Sequence, residues 1–99
     1  LNSKQRSFLK GIAMTTEPIF QIGKSALTPE LTTAVGEALE KRELVKISVL
    51  QNCLDDPKDM AARLADRTQS EVVQVIGKKI VLYRQAKEEK HRKIVLPRG

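Results

Sequence analysis

The sequence predicts an α/β domain, and three observations carry that expectation. Apolar stripes at helical spacing recur three times along the chain. Two of them begin the same way, with a capping side chain followed by proline, at Thr28-Pro29 and Asp56-Pro57. Between and after the stripes lie short apolar runs of strand length, the last two separated only by Gly77-Lys78-Lys79. The predicted order is α-β-α-β-α-β-β, an α+β arrangement with helices and sheet in two layers.

The first helix is expected from a Ser3 cap to about Thr16, with Phe8, Leu9, Ile12 and Ala13 on one face. Pro18 ends it, because the residue before a proline avoids helical backbone. Ile19 to Ile22 follow as a strand that stops at Gly23. The second helix starts at the Thr28 cap with Pro29 as its first residue, carries Leu31, Val35, Ala38 and Leu39, and runs out at Lys41-Arg42. Gly36 within it weakens the helix by about 1 kcal/mol relative to alanine, which close packing would explain. Leu44 to Leu50 read as a strand with Val45, Ile47 and Val49 on a buried face and Lys46 and Ser48 on a wetter one. A third helix carries Met60, Ala61, Leu64 and Ala65. Val72 to Ile76 and Ile80 to Tyr83 form a hairpin. The domain spans residues 1–86. Residues 87–99 form a basic tail whose apolar coda, Ile94-Val95-Leu96, either adds an edge strand or stays mobile.

Ninety-nine residues suffice for one core. The net charge of +6 is unevenly placed: +3 over residues 1–29, −3 over 30–76 and +6 over 77–99. A polyanion is the most economical partner for such a chain. Cys53 is the only cysteine and His91 the only histidine, so a disulfide framework, a His-based catalytic pair and a Cys/His metal site are not expected. Cys53 reads as an apolar filler, His91 as a solvated side chain, and the Asp55-Asp56 pair as helix capping. With no apolar run of membrane-spanning length and no secretion signal, a cytoplasmic protein without a membrane partner is expected.

The chemistry concentrates at Gly23-Lys24-Ser25-Ala26, where a strand passes through a small-residue turn into a helix N-terminus. Backbone N–H groups can point at a phosphate in such a place. It is not a nucleotide-binding P-loop, because Pro18 stands where the upstream glycine would be. No dinucleotide fingerprint is present either, so neither an enzyme nor a cofactor is expected. Phe8, Phe20 and Tyr83 are the only aromatic residues, too few for a sheet that stacks bases. Nucleic acid would be held by backbone clamping and charge.

Leu9-Lys10-Gly11-Ile12-Ala13, Pro18 to Lys24, Leu27-Thr28, Glu43 to Ile47 and Val75 to Arg84 resemble the CRM domain, named for chloroplast RNA splicing and ribosome maturation. Size and basic tail are similar to those of the bacterial single-domain YhbY family. The resemblance implies a four-stranded mixed sheet packed by helices, similar to the C-terminal domain of translation initiation factor three. It further implies RNA binding and association with precursors of the large ribosomal subunit. The family's GxxG loop falls on Gly23-Lys24-Ser25-Ala26, and Ala26 departs from the pattern. Either that position does not need positive φ, or the loop clamps RNA less closely.

The expected RNA-binding set is therefore Gly23, Lys24, Ser25, Ala26 and Thr28 at the loop, Lys4, Arg6 and Lys10 on the first helix, and Lys46, Lys78, Lys79 and Arg84 on the strands. Tyr83 reads equally as core or as a stacking contact. The expected protein is a monomer that binds rRNA in large-subunit precursors, with ribosomal proteins as further partners. The competing expectation is a protein–protein adaptor, docked on a ribosomal protein or GTPase through the acidic middle of the chain.

Overall fold

The computed structural model describes residues 1–98. Capping residues begin each α-helix. Helix α1 spans Ser3–Met14, and its cap is Asn2 rather than Ser3: the Asn2 side chain accepts the Gln5 N–H while the Gln5 side chain accepts the Asn2 N–H. Strand β1 is Phe20–Ile22, one residue shorter than expected. Helix α2, Pro29–Arg42, has the expected Thr28 cap, and helix α3, Pro57–Thr68, starts from Asp56. Strand β2 is Leu44–Val49, β3 is Glu71–Ile76 and β4 is Lys79–Tyr83. Gly77 sits at the first central position of the two-residue β3–β4 turn with φ +55°, a conformation that a side chain would strain.

The sheet order is β1-β2-β4-β3, with β1 and β2 parallel and the other neighbours antiparallel. The α/β class, the element order and the mixed sheet stand as expected. The helices, however, divide between both faces. Val45, Ile47, Val49, Ile80 and Leu82 pack against α2 and α3 through Val35, Leu39, Met60 and Leu64. On the opposite face Leu44, Val73, Val81 and Tyr83 pack against Leu9 and Ala13 of α1, so a partial third layer is added to the expected two. Burial of a side chain such as Leu9 is worth about 1.5–3 kcal/mol, enough to hold a short helix that has little stability alone.

That third layer covers the face of β2 expected to be wet. Ser48 is buried, and Lys46 reaches under α1 to donate to the Ala13 carbonyl at 3.1 Å. A cation at the end of α1 thereby joins the Thr16 N–H, which donates to the same carbonyl at 3.1 Å, where the helix dipole favours positive charge. Phe8, expected in the stripe, is 42% exposed. Tyr83 is 5% exposed and belongs to the core, and burial together with the charges of Glu43 and Glu71 pushes its pKa up. An alanine Cβ at Gly36 would stand 3.9 Å from Thr68 Cγ2, so close packing does not explain that glycine.

The C-terminal segment is neither an edge strand nor loose. Ala86–Leu96 forms a strap around Glu43, which is fully buried after the last turn of α2 with φ +67°. Glu43 Oε2 accepts the Ala86 N–H at 2.7 Å, and Oε1 accepts those of Lys93 and Ile94 at 2.6 and 2.9 Å. Burial would raise the pKa of this carboxyl, but those three donors and the nearby Arg92 charge outweigh it and hold it below the ordinary value. Glu40, one turn earlier, accepts the Lys87 and Glu88 N–H groups at 2.8 and 3.0 Å and lies 3.2 Å from His91 Nδ1, so His91 is not a freely solvated side chain. The two backbone donors lead in lowering the Glu40 pKa to about 2, against a smaller opposing effect of burial. Ile94 and Leu96 then close over the α1 face of the sheet.

Candidate nucleic-acid interface

Because β1 and β2 run parallel, their C-terminal ends finish side by side. The β3–β4 turn reaches the same end, since Ser48 pairs with Lys79 and the Val49 N–H donates to the Lys78 carbonyl at 2.7 Å. Three connections converge there: residues 23–28, residues 50–56 and the turn at Gly77-Lys78. The Leu50 N–H donates to the Ile22 carbonyl at 2.8 Å and ties the first two together.

Within the first connection the Ala26 N–H donates to the Gly23 carbonyl at 2.9 Å, closing a tight turn that presents Lys24 and Ser25 to solvent. The left-handed residue of that turn is Ala26, with φ +54°. The position does take positive φ, and alanine holds it at a cost of about 1–2 kcal/mol relative to glycine. Gly23 does not, and a Cβ there would meet Asn52 Oδ1 and Leu50 Cδ1 at ordinary distances of 3.6 and 3.7 Å. Thr28 is occupied as a cap: its Oγ1 accepts the Leu31 N–H at 3.1 Å. Pro29 has no N–H and the Thr32 N–H donates to the Thr28 carbonyl, so this helix end offers an anion chiefly the Glu30 N–H, beside Glu30's own carboxylate.

The expected site residues thus fall into three groups. Lys24, Ser25, Ala26, Lys78 and Lys79 are gathered at one end of the sheet with Gly23 beneath them. Among the described residues Lys24 and Lys78 have no side-chain partner, while Lys79 donates to Ser48 Oγ at 2.7 Å. Lys4 and Lys10 are exposed on α1. The third group has internal acceptors. Arg6 donates to the Val72 and Val73 carbonyls, at the bulge that interrupts β3. Lys46 caps α1. Arg84 donates to the Thr68 and Gly36 carbonyls at 2.9 and 3.1 Å and lies 3.5 Å from Glu40, at the opposite end of the sheet from Lys24.

Sequence reasoning did not assign Asn52, Leu54 and Asp55 to this end. They line an open cleft with Lys24 and Ala26. Leu54 belongs to no stripe and stands alone in a polar turn, the one signal in the sequence that it is not core.

Fold and site together define a small α/β module whose cationic turn, small in its side chains, projects from the end of a parallel strand pair. The chain belongs to the CRS1 / YhbY (CRM) domain family, which it matches over residues 1–84. It is 47% identical over 90 residues to the "Probable RNA-binding protein YqeI" of Bacillus subtilis, covering 91% of this chain and 94% of that protein. A Haemophilus influenzae protein named "RNA-binding protein" is 34% identical over 98 residues, covering 99% and 96%. The solution structure of the hypothetical protein SAV1595 from Staphylococcus aureus superposes with a TM-score of 0.78 at 45% identity, covering 98% of this chain and 99% of that one.

Proposed function

We propose that this protein binds RNA without catalysing a reaction, and that it acts on rRNA in precursors of the large ribosomal subunit. The observation that carries the reading is the convergence of Lys24, Lys78 and Lys79 around an exposed turn at one end of the sheet. Phosphates of a single strand would lie across that turn, with Lys10 and Lys4 of α1 adding distant charge. The RNA-binding names of its relatives support the class of ligand.

Binding of a single-stranded oligomer should weaken with salt, by about 0.7 in log–log slope per phosphate engaged. Lys24→Glu should lower affinity several-fold and shrink that slope, while leaving the thermal midpoint unchanged, because an exposed turn lysine contributes little stability. Unchanged affinity in this variant removes the turn from the site. For the cellular role, the protein should sediment with large-subunit precursors and leave them on RNase treatment. Retention after RNase and at high salt would favour a protein-docking adaptor instead.

A further inference from the structure

A phosphate-binding turn does not explain its own neighbours. Asp55 lines the same cleft as Lys24, where a carboxylate repels a phosphate. Leu54 beside it is 96% exposed, an unusual amount of apolar surface for a residue with no structural duty. Asp56, not Asp55, caps α3, through its side chain to the Lys58 N–H at 3.1 Å. Among the described residues the Asp55 carboxylate and the Asn52 amide have no internal hydrogen-bond partner. The cleft that they line with Ala26 measures about 540 Å³, within the range of roughly 300–1,000 Å³ typical of small-ligand sites.

An unpaired base accounts for all of these groups together. Its flat face needs an apolar surface, which Leu54 and the Ala26 methyl supply where aromatic rings are absent. Its edge needs polar partners without competing internal bonds, and its own phosphate would sit by Lys24. A carboxylate only accepts hydrogen bonds, so it selects bases that present N–H donors. Guanine alone among the four carries two adjacent donors on its Watson–Crick edge, N1–H and the 2-amino group, and these match the two oxygens of one carboxylate.

We propose that the cleft between the Gly23–Ala26 turn and the β2–α3 connection takes one unpaired guanine, with Leu54 against its face and the Asp55 carboxylate accepting from N1–H and the 2-amino group. Asn52 lies against Gly23 on the cleft wall, placed to meet the rest of the base edge. The inference rests on the RNA-binding reading and adds a base preference to it.

Fluorescence anisotropy with labelled oligouridines that carry guanine, inosine, uracil or an abasic site at the centre tests it. Guanine should bind about tenfold tighter than uracil, as a bidentate base contact allows. Inosine, which lacks the 2-amino group, should fall between them. Asp55→Asn should erase the guanine preference while raising affinity for the all-uridine oligomer, because a charge that repels phosphate is removed. Leu54→Ala should weaken the guanine oligomer several-fold and leave the abasic one unchanged. Both side chains are exposed, so neither variant threatens the fold, and thermal midpoints should match. Equal wild-type binding to guanine and abasic oligomers, or an Asp55→Asn gain that is uniform across all four, would overturn the guanine site and leave RNA binding intact. Absence of salt-sensitive binding to every oligomer would overturn both.

Discussion

Where β1 and β2 finish, Lys24 and Lys78 stand in solvent without internal partners among the described residues. At the other end, Arg84 directs its guanidinium to two helix carbonyls and Glu40, its side chain only 15% exposed. Glu40 and Glu43 in turn accept five backbone N–H groups from the strap. One end of the sheet therefore uses charge to complete the fold, and the other leaves charge available. A cation's sign is the same in both places; what differs is whether backbone carbonyls surround it. Counting basic residues cannot separate these roles, whereas their acceptors do.

The sharpest way to break the contrast is Glu43→Ala. Three strap N–H groups, that of Ala86 fully buried and those of Lys93 and Ile94 half-buried, would lose their acceptor, at a cost of about 3 kcal/mol. The urea midpoint should fall accordingly, and the amides of Lys93 and Ile94 should lose hydrogen-exchange protection. A second variant, Arg84→Ala, should cost about 2 kcal/mol by removing the charge-assisted bonds to the Thr68 and Gly36 carbonyls and leaving the Thr68 carbonyl, at the end of α3, without its donor. RNA affinity of the folded fraction should not change. A loss of affinity there, beyond the loss of folded protein, would extend the interface to the strap end.

Acid probes the same end. Glu40 and Glu43 both have lowered pKa values in the folded chain, so their stabilising effect is complete above the ordinary glutamate value of 4.5 and fades as pH falls through the folded values, about 2 for Glu40. Strap amides should lose protection between roughly pH 4.5 and 2. Glu40→Gln should flatten the lower part of that decline. The smallest effect belongs to the open end. Ala26→Gly should relieve left-handed backbone and stabilise by about 0.5–1 kcal/mol after the extra entropy of an unfolded glycine is allowed for. A destabilised variant would mean that the turn gains more from the Ala26 methyl than it loses in strain.

Much of the fold was legible because it is written locally. Thr28-Pro29, Asp56-Pro57 and the hairpin connection at Gly77, where Lys79 proves to belong to β4 rather than to the turn, each act within a few positions of themselves. The third layer was not legible, since α1 carries one ordinary amphipathic stripe that does not say which face of the sheet it will cover. Glu43 was less legible still. Its partners lie 43 to 51 residues away and are backbone amides, which leave no trace in side-chain identity. The candidate site drew attention at Gly23 to Ala26 because a strand, a turn and a helix cap are contiguous there. Asn52, Leu54 and Asp55 join it only through the parallel pairing of β1 with β2.

The strap also settles how the chain is tethered in space. Gln5 Nε2 donates to the Pro97 carbonyl at 3.1 Å, and Leu1 and Leu96 line one cleft with Glu71 at the start of β3, the end remote from the Gly77 turn. Leu1 and Leu96 are therefore neighbours, at the end of the sheet away from the Lys24 turn. A surface anchor or fluorophore attached near Leu1 or Leu96 hangs from the strap end of the sheet, with the cationic turn at the other end.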